Sequence, residues 1–85
     1  MAAVTIYTKP YCPYRVRALG LLERKGAEVT EIEAAFDAGK RAEMLQKSGG
    51  AATYPQIFIG GQHVGGCDDL HDLEAQGRLD ALLAG

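Results

Sequence analysis

The sequence predicts one small α/β fold in which strands and helices follow each other in the order βαβαββα. Three observations support this: β-branched runs bounded by turn residues, segments with apolar residues at helical spacing, and a hairpin signal in the second half. Strands joined through a helix should be parallel and hairpin strands antiparallel, so we expect a four-stranded mixed sheet flanked by helices. The length leaves room for a single domain over residues 1–85.

The first half of the chain alternates strand and helix. Val4–Thr8 is β-branched and aromatic and runs into a Lys-Pro turn, which is typical of a strand followed by a loop. Residues 13–25 carry apolar side chains at helical spacing, with a proline in the first turn and a glycine after the end. Val29–Glu33 alternates as a strand does, and Asp37 can cap a second helix over residues 38–46.

The second half predicts a hairpin and a last helical stretch. Gln56–Ile59 and Gln62–Gly65 are short strand-like runs separated by two glycines, which is a β-hairpin signal. Leucines at helical spacing follow Asp68 and Asp69, whose charges suit the first turn of a helix. We expect Gly77 to divide this stretch into two pieces.

Charge and composition exclude several classes of function. Nine Lys and Arg, dispersed along the chain, stand against 11 Asp and Glu, so nucleic acid binding has no electrostatic support. The first residues lack the features of a signal peptide, and no apolar run approaches the length of a membrane span. Two widely separated cysteines are not a disulfide framework. We therefore expect a cytoplasmic monomer that binds neither nucleic acid nor membrane.

Cys12 is the candidate for redox chemistry. It lies between a predicted strand and a predicted helix, where unpaired N–H groups and the helix dipole favour a thiolate. Lys9, Arg15 and Arg17 add positive charge nearby. A thiolate is the nucleophile of thiol–disulfide exchange, and the flanking Lys-Pro-Tyr and Pro-Tyr-Arg predict an exposed turn. We favour this interpretation over a buried, inert cysteine.

Two further segments are candidates for binding. In Thr53-Tyr54-Pro55 the proline precedes a strand, and base rates favour its trans form. A cis form would expose the Tyr54 backbone to an extended peptide. The Gly-Gly-Cys-Asp-Asp segment, residues 65–69, can hold a carboxylate at a helix N-terminus, while its aspartates cap the helix, bind an amine, or do both. The two histidines lack metal-ligand spacing, so we expect them to be surface or partly packed residues and propose no metal site.

Three segments together resemble the glutaredoxin family: residues 7–14 (YTKPYCPY), 53–60 (TYPQIFIG) and 63–70 (HVGGCDDL). Their order and spacing match the family, and the resemblance covers essentially the whole chain. It implies a thioredoxin-like fold. It also implies a glutathione site that spans the Cys12 loop, a cis-proline loop and the Gly-Gly-Cys-Asp turn.

The same resemblance implies a role for each site residue. Cys12 would attack a glutathionylated protein or a small disulfide, with glutathione as co-substrate. Lys9 would meet the glycine carboxylate of glutathione, and the Tyr54 backbone would pair with its cysteine. The N–H groups of Cys67 and Asp68 would hold the γ-glutamyl carboxylate, and the Asp68 side chain would take the amine. The full set of implied glutathione-binding residues is Lys9, Tyr14, Thr53, Tyr54, Pro55, Gly66, Cys67 and Asp68.

The chain departs from the family pattern at two places. Arg15 stands where dithiol members carry their second cysteine, so we expect a monothiol route and reduced activity on protein disulfides. We also expect the Arg15 charge to favour the Cys12 thiolate. Ala51 and Ala52 stand where related sequences often place an arginine or another polar residue, which removes a possible carboxylate contact. Both departures fit a natural variant as well as an introduced change.

Two other functions stay open. Some monothiol members carry a [2Fe–2S] cluster between two subunits, but they usually have small residues after the cysteine, whereas Pro13-Tyr14-Arg15 is rigid and bulky. The chain could also bind glutathione without turning it over. Cys67 is a conceivable resolving thiol for Cys12, although we expect the fold to hold the two too far apart for a disulfide.

Overall fold

The computed structural model describes residues 2–85 and has the predicted order of elements. Met1, which belongs to the N-terminal stretch considered above, lies outside the described residues. The elements are β1 (Val4–Thr8), α1 (Pro13–Arg24), β2 (Val29–Glu33), α2 (Ala38–Lys47), β3 (Gln56–Ile59), β4 (Gln62–Gly65), α3 (Cys67–Ala75) and α4 (Leu79–Ala84). The expected fold class is confirmed.

The four strands form a mixed sheet in the order β2-β1-β3-β4. β1 pairs in parallel with β2 and antiparallel with β3, and β3 pairs antiparallel with β4, as the connections predict. Tyr7, near the end of β1, lies opposite Gln56 at the start of β3. The loop after β1 therefore emerges at the same edge of the sheet as residues 53–55, which brings two of the candidate segments together.

Helix ends differ from prediction by one residue. α1 ends at Arg24 with Lys25 as its C-cap, and α2 continues to Lys47. Asp37 caps α2 as expected, because its Oδ1 accepts a hydrogen bond of 3.0 Å from the Lys40 N–H. The last helical stretch is divided as predicted, since Gly77 has a φ of +70° that continues neither helix.

Helices cover both faces of the sheet because the strand side chains alternate. Val4 and Ile6 of β1 point to one face and Tyr7 to the other. The first face packs against α1, α3 and α4 through the buried residues Ala18, Leu21, Leu22, Ile57, Ile59, Cys67, Leu70, Leu79 and Leu83. The second face packs against α2 through the buried residues Ala34, Met44 and Phe58.

Tyr7 makes one part of this fold sensitive to alkaline pH. Its side chain is fully buried and its hydroxyl donates to Glu43 Oε2 at 2.7 Å, while Lys47 Nζ donates to the same hydroxyl at 3.4 Å. Burial, and then the hydrogen bond and negative charge of Glu43, raise the pKa of Tyr7 from 10.0 to about 12. The folded state therefore holds the phenolic proton more tightly than the unfolded state does.

We predict that this preference stabilises the fold below pH 10 and is lost as the pH rises from about 10 to about 12. Two pKa units correspond to about 2.7 kcal/mol, and the partial exposure of Glu43 reduces the expected loss to about 2 kcal/mol. This loss is measured by urea unfolding of the protein and of Tyr7→Phe at pH 8 and pH 12. The difference in unfolding free energy between the two proteins isolates Tyr7, because the other titrating groups contribute equally to both. A difference between the two proteins that stays constant with pH would contradict the assignment to Tyr7.

Candidate functional site

Cys12 is the N-cap residue of α1. It has extended backbone angles, and Pro13 follows at the first helical position, where its missing N–H costs nothing. Tyr11 before it has a φ of +58°, so the chain turns sharply from the loop into the helix. The Arg15 N–H donates to the Cys12 carbonyl at 3.2 Å and closes the first turn. The unpaired N–H groups of this helix end favour negative charge beside the Cys12 side chain.

The expected exposure of Cys12 is wrong. Its relative accessibility is 4%, whereas Tyr11 is fully exposed and Tyr14 half exposed. The turn itself is exposed as predicted, but the side chains that reach solvent are those of Tyr11 and Tyr14 and not that of Cys12. Cys12 lines an open groove of about 590 Å³ together with Tyr11, Pro13, Arg15 and Val16. We name this depression the outer groove.

A second groove, of about 390 Å³, lies between the segment before β3 and the start of α3. We name it the inner groove. The Tyr54–Pro55 peptide is cis, which agrees with the family resemblance and corrects the trans expectation from base rates. The groove brings together the predicted site residues Tyr14, Thr53, Tyr54, Pro55, Gly66, Cys67 and Asp68. Cys12 and Lys9 are absent from its lining; Lys9 is exposed in the loop between β1 and α1.

The two adjacent aspartates have different roles at the start of α3. Asp69 is the capping residue, because its Oδ2 accepts a hydrogen bond of 2.9 Å from the Gly66 N–H. Asp68 is exposed in the first helical turn and lines the inner groove. The α3 N-terminus therefore offers the groove a carboxylate next to main-chain N–H groups, a combination that fits an amine beside a carboxylate.

Cys67 is buried in the wall of the inner groove. Its accessibility is 3%, and burial raises the pKa of its thiol. The Arg17 charge acts in the opposite direction, while Asp68 and Cys12 raise the Cys67 pKa further. His71 Nδ1 lies 3.4 Å from Cys67 Sγ and 2.9 Å from the Cys67 carbonyl oxygen. Both cysteines are free thiols.

Arg15 is held by a carboxylate on the neighbouring strand. Its Nε donates to Glu31 Oε2, and its Nη2 donates to Glu31 Oε1 at 3.0 Å. The Thr8 hydroxyl donates to Glu31 Oε2 at 2.9 Å, so the carboxylate is fixed from two sides. The hydrogen bond from Arg15 lowers the pKa of Glu31. Glu31 partly neutralises the Arg15 charge, and the support of a Cys12 thiolate by Arg15 stays a prediction.

The family model for glutaredoxin matches residues 4–64, which includes Cys12 and the cis-proline segment. The chain belongs to the glutaredoxin family. Members of this family are generally oxidoreductases that use glutathione.

Individual glutaredoxins are similar over nearly their whole length. The chain is 54% identical to a Pseudomonas aeruginosa glutaredoxin over 84 residues, covering 99% of both chains, and 54% identical to Escherichia coli K12 glutaredoxin 3 over 83 residues, covering 98% and 99%. The solution structure of the Brucella melitensis glutaredoxin has a TM-score of 0.82 at 59% identity, with 98% of this chain and 89% of that one covered. The buckwheat glutaredoxin–glutathione complex has a TM-score of 0.85 at 34% identity, with coverage of 98% and 77%.

In this glutaredoxin a polar network under the inner groove was missed by sequence reasoning. His63 Nε2 donates to Gln56 Oε1 at 2.7 Å, and Gln56 Nε2 donates to the Thr53 carbonyl at 2.9 Å and to Thr53 Oγ1 at 3.0 Å. The His63 ring packs on Phe58 at 5.0 Å between centroids. The network fixes the segment that carries the cis-proline. The sequence signal that could have indicated it is Gln56, which precedes the apolar run Ile-Phe-Ile. A glutamine at the start of a buried strand needs hydrogen-bond partners for its amide.

Residues 2–85 of the glutaredoxin contain no cluster of three or more His, Cys, Asp or Glu side chains arranged to hold a metal ion. None of its helices in the same range has the length and apolar character to cross a membrane. Ala51 lines the inner groove, so at this departure from the family pattern the groove wall carries a methyl group.

Proposed function

We propose that this glutaredoxin is a glutathione-dependent oxidoreductase that uses Cys12 in a monothiol route to remove glutathione from proteins or small disulfides. The observation that supports it most is the position of Cys12 as the N-cap residue of α1, with Arg15, rather than a second thiol, one turn further on and with Tyr14 of the same turn lining the inner groove. A helix N-terminus favours the thiolate that the reaction needs.

The proposed reaction has two thiol–disulfide exchanges. The Cys12 thiolate attacks the glutathione sulfur of a mixed disulfide, and the substrate leaves as a thiolate that takes up a proton. A second glutathione thiolate then attacks the sulfur of the Cys12-bound glutathione, which gives oxidised glutathione and restores the Cys12 thiolate. One free glutathione thiol is thus oxidised for each mixed disulfide that is reduced, because the other half of the oxidised glutathione comes from the substrate, and no second protein thiol is required.

The inner groove is the proposed glutathione site. An extended tripeptide can pair with the Tyr54 backbone before Pro55, in the manner of an added strand. The N–H groups of Cys67 and Asp68 would bind the γ-glutamyl carboxylate, and the Asp68 carboxylate would bind the amine. Lys9, which is exposed in the loop before α1, would reach the glycine carboxylate. The buckwheat relative, 34% identical, has been solved as a complex with glutathione, which supports this placement.

Substrates and cellular setting are part of the same proposal. Glutathionylated proteins and small disulfides are the proposed partners, and the protein would act as a monomer in the cytoplasm, where free thiols such as Cys12 and Cys67 stay reduced. No observation among the described residues specifically favours the cluster-carrier alternative.

The test compares two substrates: a glutathionylated peptide and a peptide with an internal disulfide. We expect glutathione-dependent turnover of the first and, because no resolving thiol follows Cys12, slow reduction of the second. Arg15→Cys should raise reduction of the internal disulfide by about tenfold or more, since it makes the resolving step intramolecular.

Arg15→Ser is the matched control, because it removes the same charge and bulk without supplying a thiol. Absence of turnover of the glutathionylated peptide until Arg15 becomes Cys would indicate a glutathione-binding scaffold instead. A coloured protein after anaerobic reconstitution with iron and sulfide, together with no turnover, would favour the cluster carrier.

A further inference from the structure

Cys12 lines the outer groove, which shares no lining residue with the inner groove, although Tyr14 of the same helical turn lines the inner one. The inner groove is the proposed glutathione site, and the outer groove is lined by Tyr11, Cys12, Pro13, Arg15 and Val16. A glutathione mixed disulfide has a second substituent, the substrate polypeptide, which needs a place near Cys12 while glutathione fills the inner groove. The outer groove is the open depression that Cys12 itself lines.

The outer groove combines exposed apolar surface with one cation. Tyr11 is fully exposed and Val16 is 63% exposed, although both are large hydrophobic residues. The Arg15 side chain, which stands between them along the chain, is 36% exposed. Such a surface matches a segment that presents an apolar side chain next to a carboxylate.

The orientation of Arg15 leaves one edge of its guanidinium group available. Arginine has five N–H donors, and Glu31 takes one on Nε and one on Nη2. The two donors on Nη1 and the second on Nη2 have no hydrogen-bond partner among residues 2–85. Glu31 is itself fixed by the Thr8 hydroxyl, so the guanidinium group is held in one orientation with these donors unused.

We infer that Arg15 is a specificity-determining residue which binds a carboxylate next to the modified cysteine of a glutathionylated polypeptide, with Tyr11 and Val16 contacting the flanking residues. The inference rests on the proposed function, because it assigns the second substituent of the same mixed disulfide. Glu31 acts as the positioning residue, since its two hydrogen bonds orient the guanidinium group.

The experiment uses three glutathionylated peptides that differ only in the residue after the cysteine: Glu, Gln or Lys. We expect kcat/KM to be about 3- to 5-fold higher for the Glu peptide than for the Gln peptide, lower still for the Lys peptide, and less selective at high salt. Arg15→Gln should reduce the Glu-to-Gln ratio to about 1. Arg17→Gln is the matched control, because it removes the same charge from the same helix outside the outer groove, and it should keep the ratio.

A second measurement does not depend on glutathione turnover. The same peptides, activated as 2-thiopyridyl disulfides, react with Cys12 when its thiolate attacks the peptide sulfur and releases pyridine-2-thione, which is followed by absorbance. The same Glu preference, lost in Arg15→Gln, is expected even if the proposed turnover fails. A preference that persists in Arg15→Gln, or no preference in either assay, would overturn the inference. So would an Arg15→Gln variant whose defect is only a higher KM for glutathione with all three peptides, which would assign the guanidinium group to glutathione.

Discussion

Cys12→Ser is expected to reduce glutathione-dependent turnover of a glutathionylated peptide by a factor on the order of 1000 or more. A serine hydroxyl is not ionised at neutral pH, so it cannot replace the thiolate as nucleophile. The variant should still fold, since serine is close to cysteine in size and can serve as an N-cap residue at the start of α1. The measurement is a coupled assay of glutathione oxidation, together with urea unfolding to show that the fold is intact.

The matched control is Cys67→Ser, which changes the other thiol of the chain. After treatment with oxidised glutathione, mass spectrometry should find one added glutathione on Cys67→Ser and none on Cys12→Ser. Both thiols are buried, but burial raises the pKa of Cys67, so little of it is thiolate at neutral pH, whereas Cys12 lines the open outer groove. Turnover that survives in Cys12→Ser would move the nucleophile to Cys67.

The fold was predictable because its signals are local. Strand alternation in Val4–Thr8 and the proline in the first turn of α1 act within a few residues of each other, and the structure confirms both elements. The Asp37 cap and the division at Gly77 are equally local. The sheet order then follows from the connections, since a helix between two strands makes them parallel and a two-residue turn makes them antiparallel.

The site was only partly predictable, because its remaining features depend on distant residues. Arg15 pairs with Glu31 on β2, which no spacing rule connects to the first turn of α1. The accessibility of Cys12 also depends on packing. Its exposed neighbours suggested an exposed residue, but the relative accessibility of Cys12 is only 4%. The contact between His63 and Gln56 likewise exists only because β3 and β4 lie side by side.

Gly65→Ala is expected to produce the largest loss of stability, about 3 kcal/mol, together with weaker glutathione binding. Gly65 has a φ of +119°, a conformation that residues with a Cβ rarely adopt, which by itself costs about 1 to 2 kcal/mol. An added methyl group would also lie 2.8 Å from the Asp69 Cγ and 3.1 Å from its Cβ. The carboxylate could rotate away from the methyl group, but the Cβ cannot move without shifting α3.

Displacing Asp69 removes its hydrogen bond to the Gly66 N–H, and the loss of such a cap costs about 1 kcal/mol more. The N–H groups at the start of α3 would then lose the alignment proposed for the γ-glutamyl carboxylate, so KM for glutathione should rise in the fraction that remains folded. Urea unfolding and steady-state kinetics at saturating peptide measure the two effects.

Gly77→Ala separates backbone strain from the effect on α3. Gly77 also has a positive φ, +70°, but an added Cβ would meet nothing within 4 Å. Its replacement should therefore cost only about 1 kcal/mol and leave KM for glutathione unchanged, because Gly77 follows α3 and is absent from both grooves. Equal losses of stability in the two variants would show that positive φ alone accounts for the cost of Gly65→Ala. The position of Asp69 would then not depend on the absence of a side chain at Gly65.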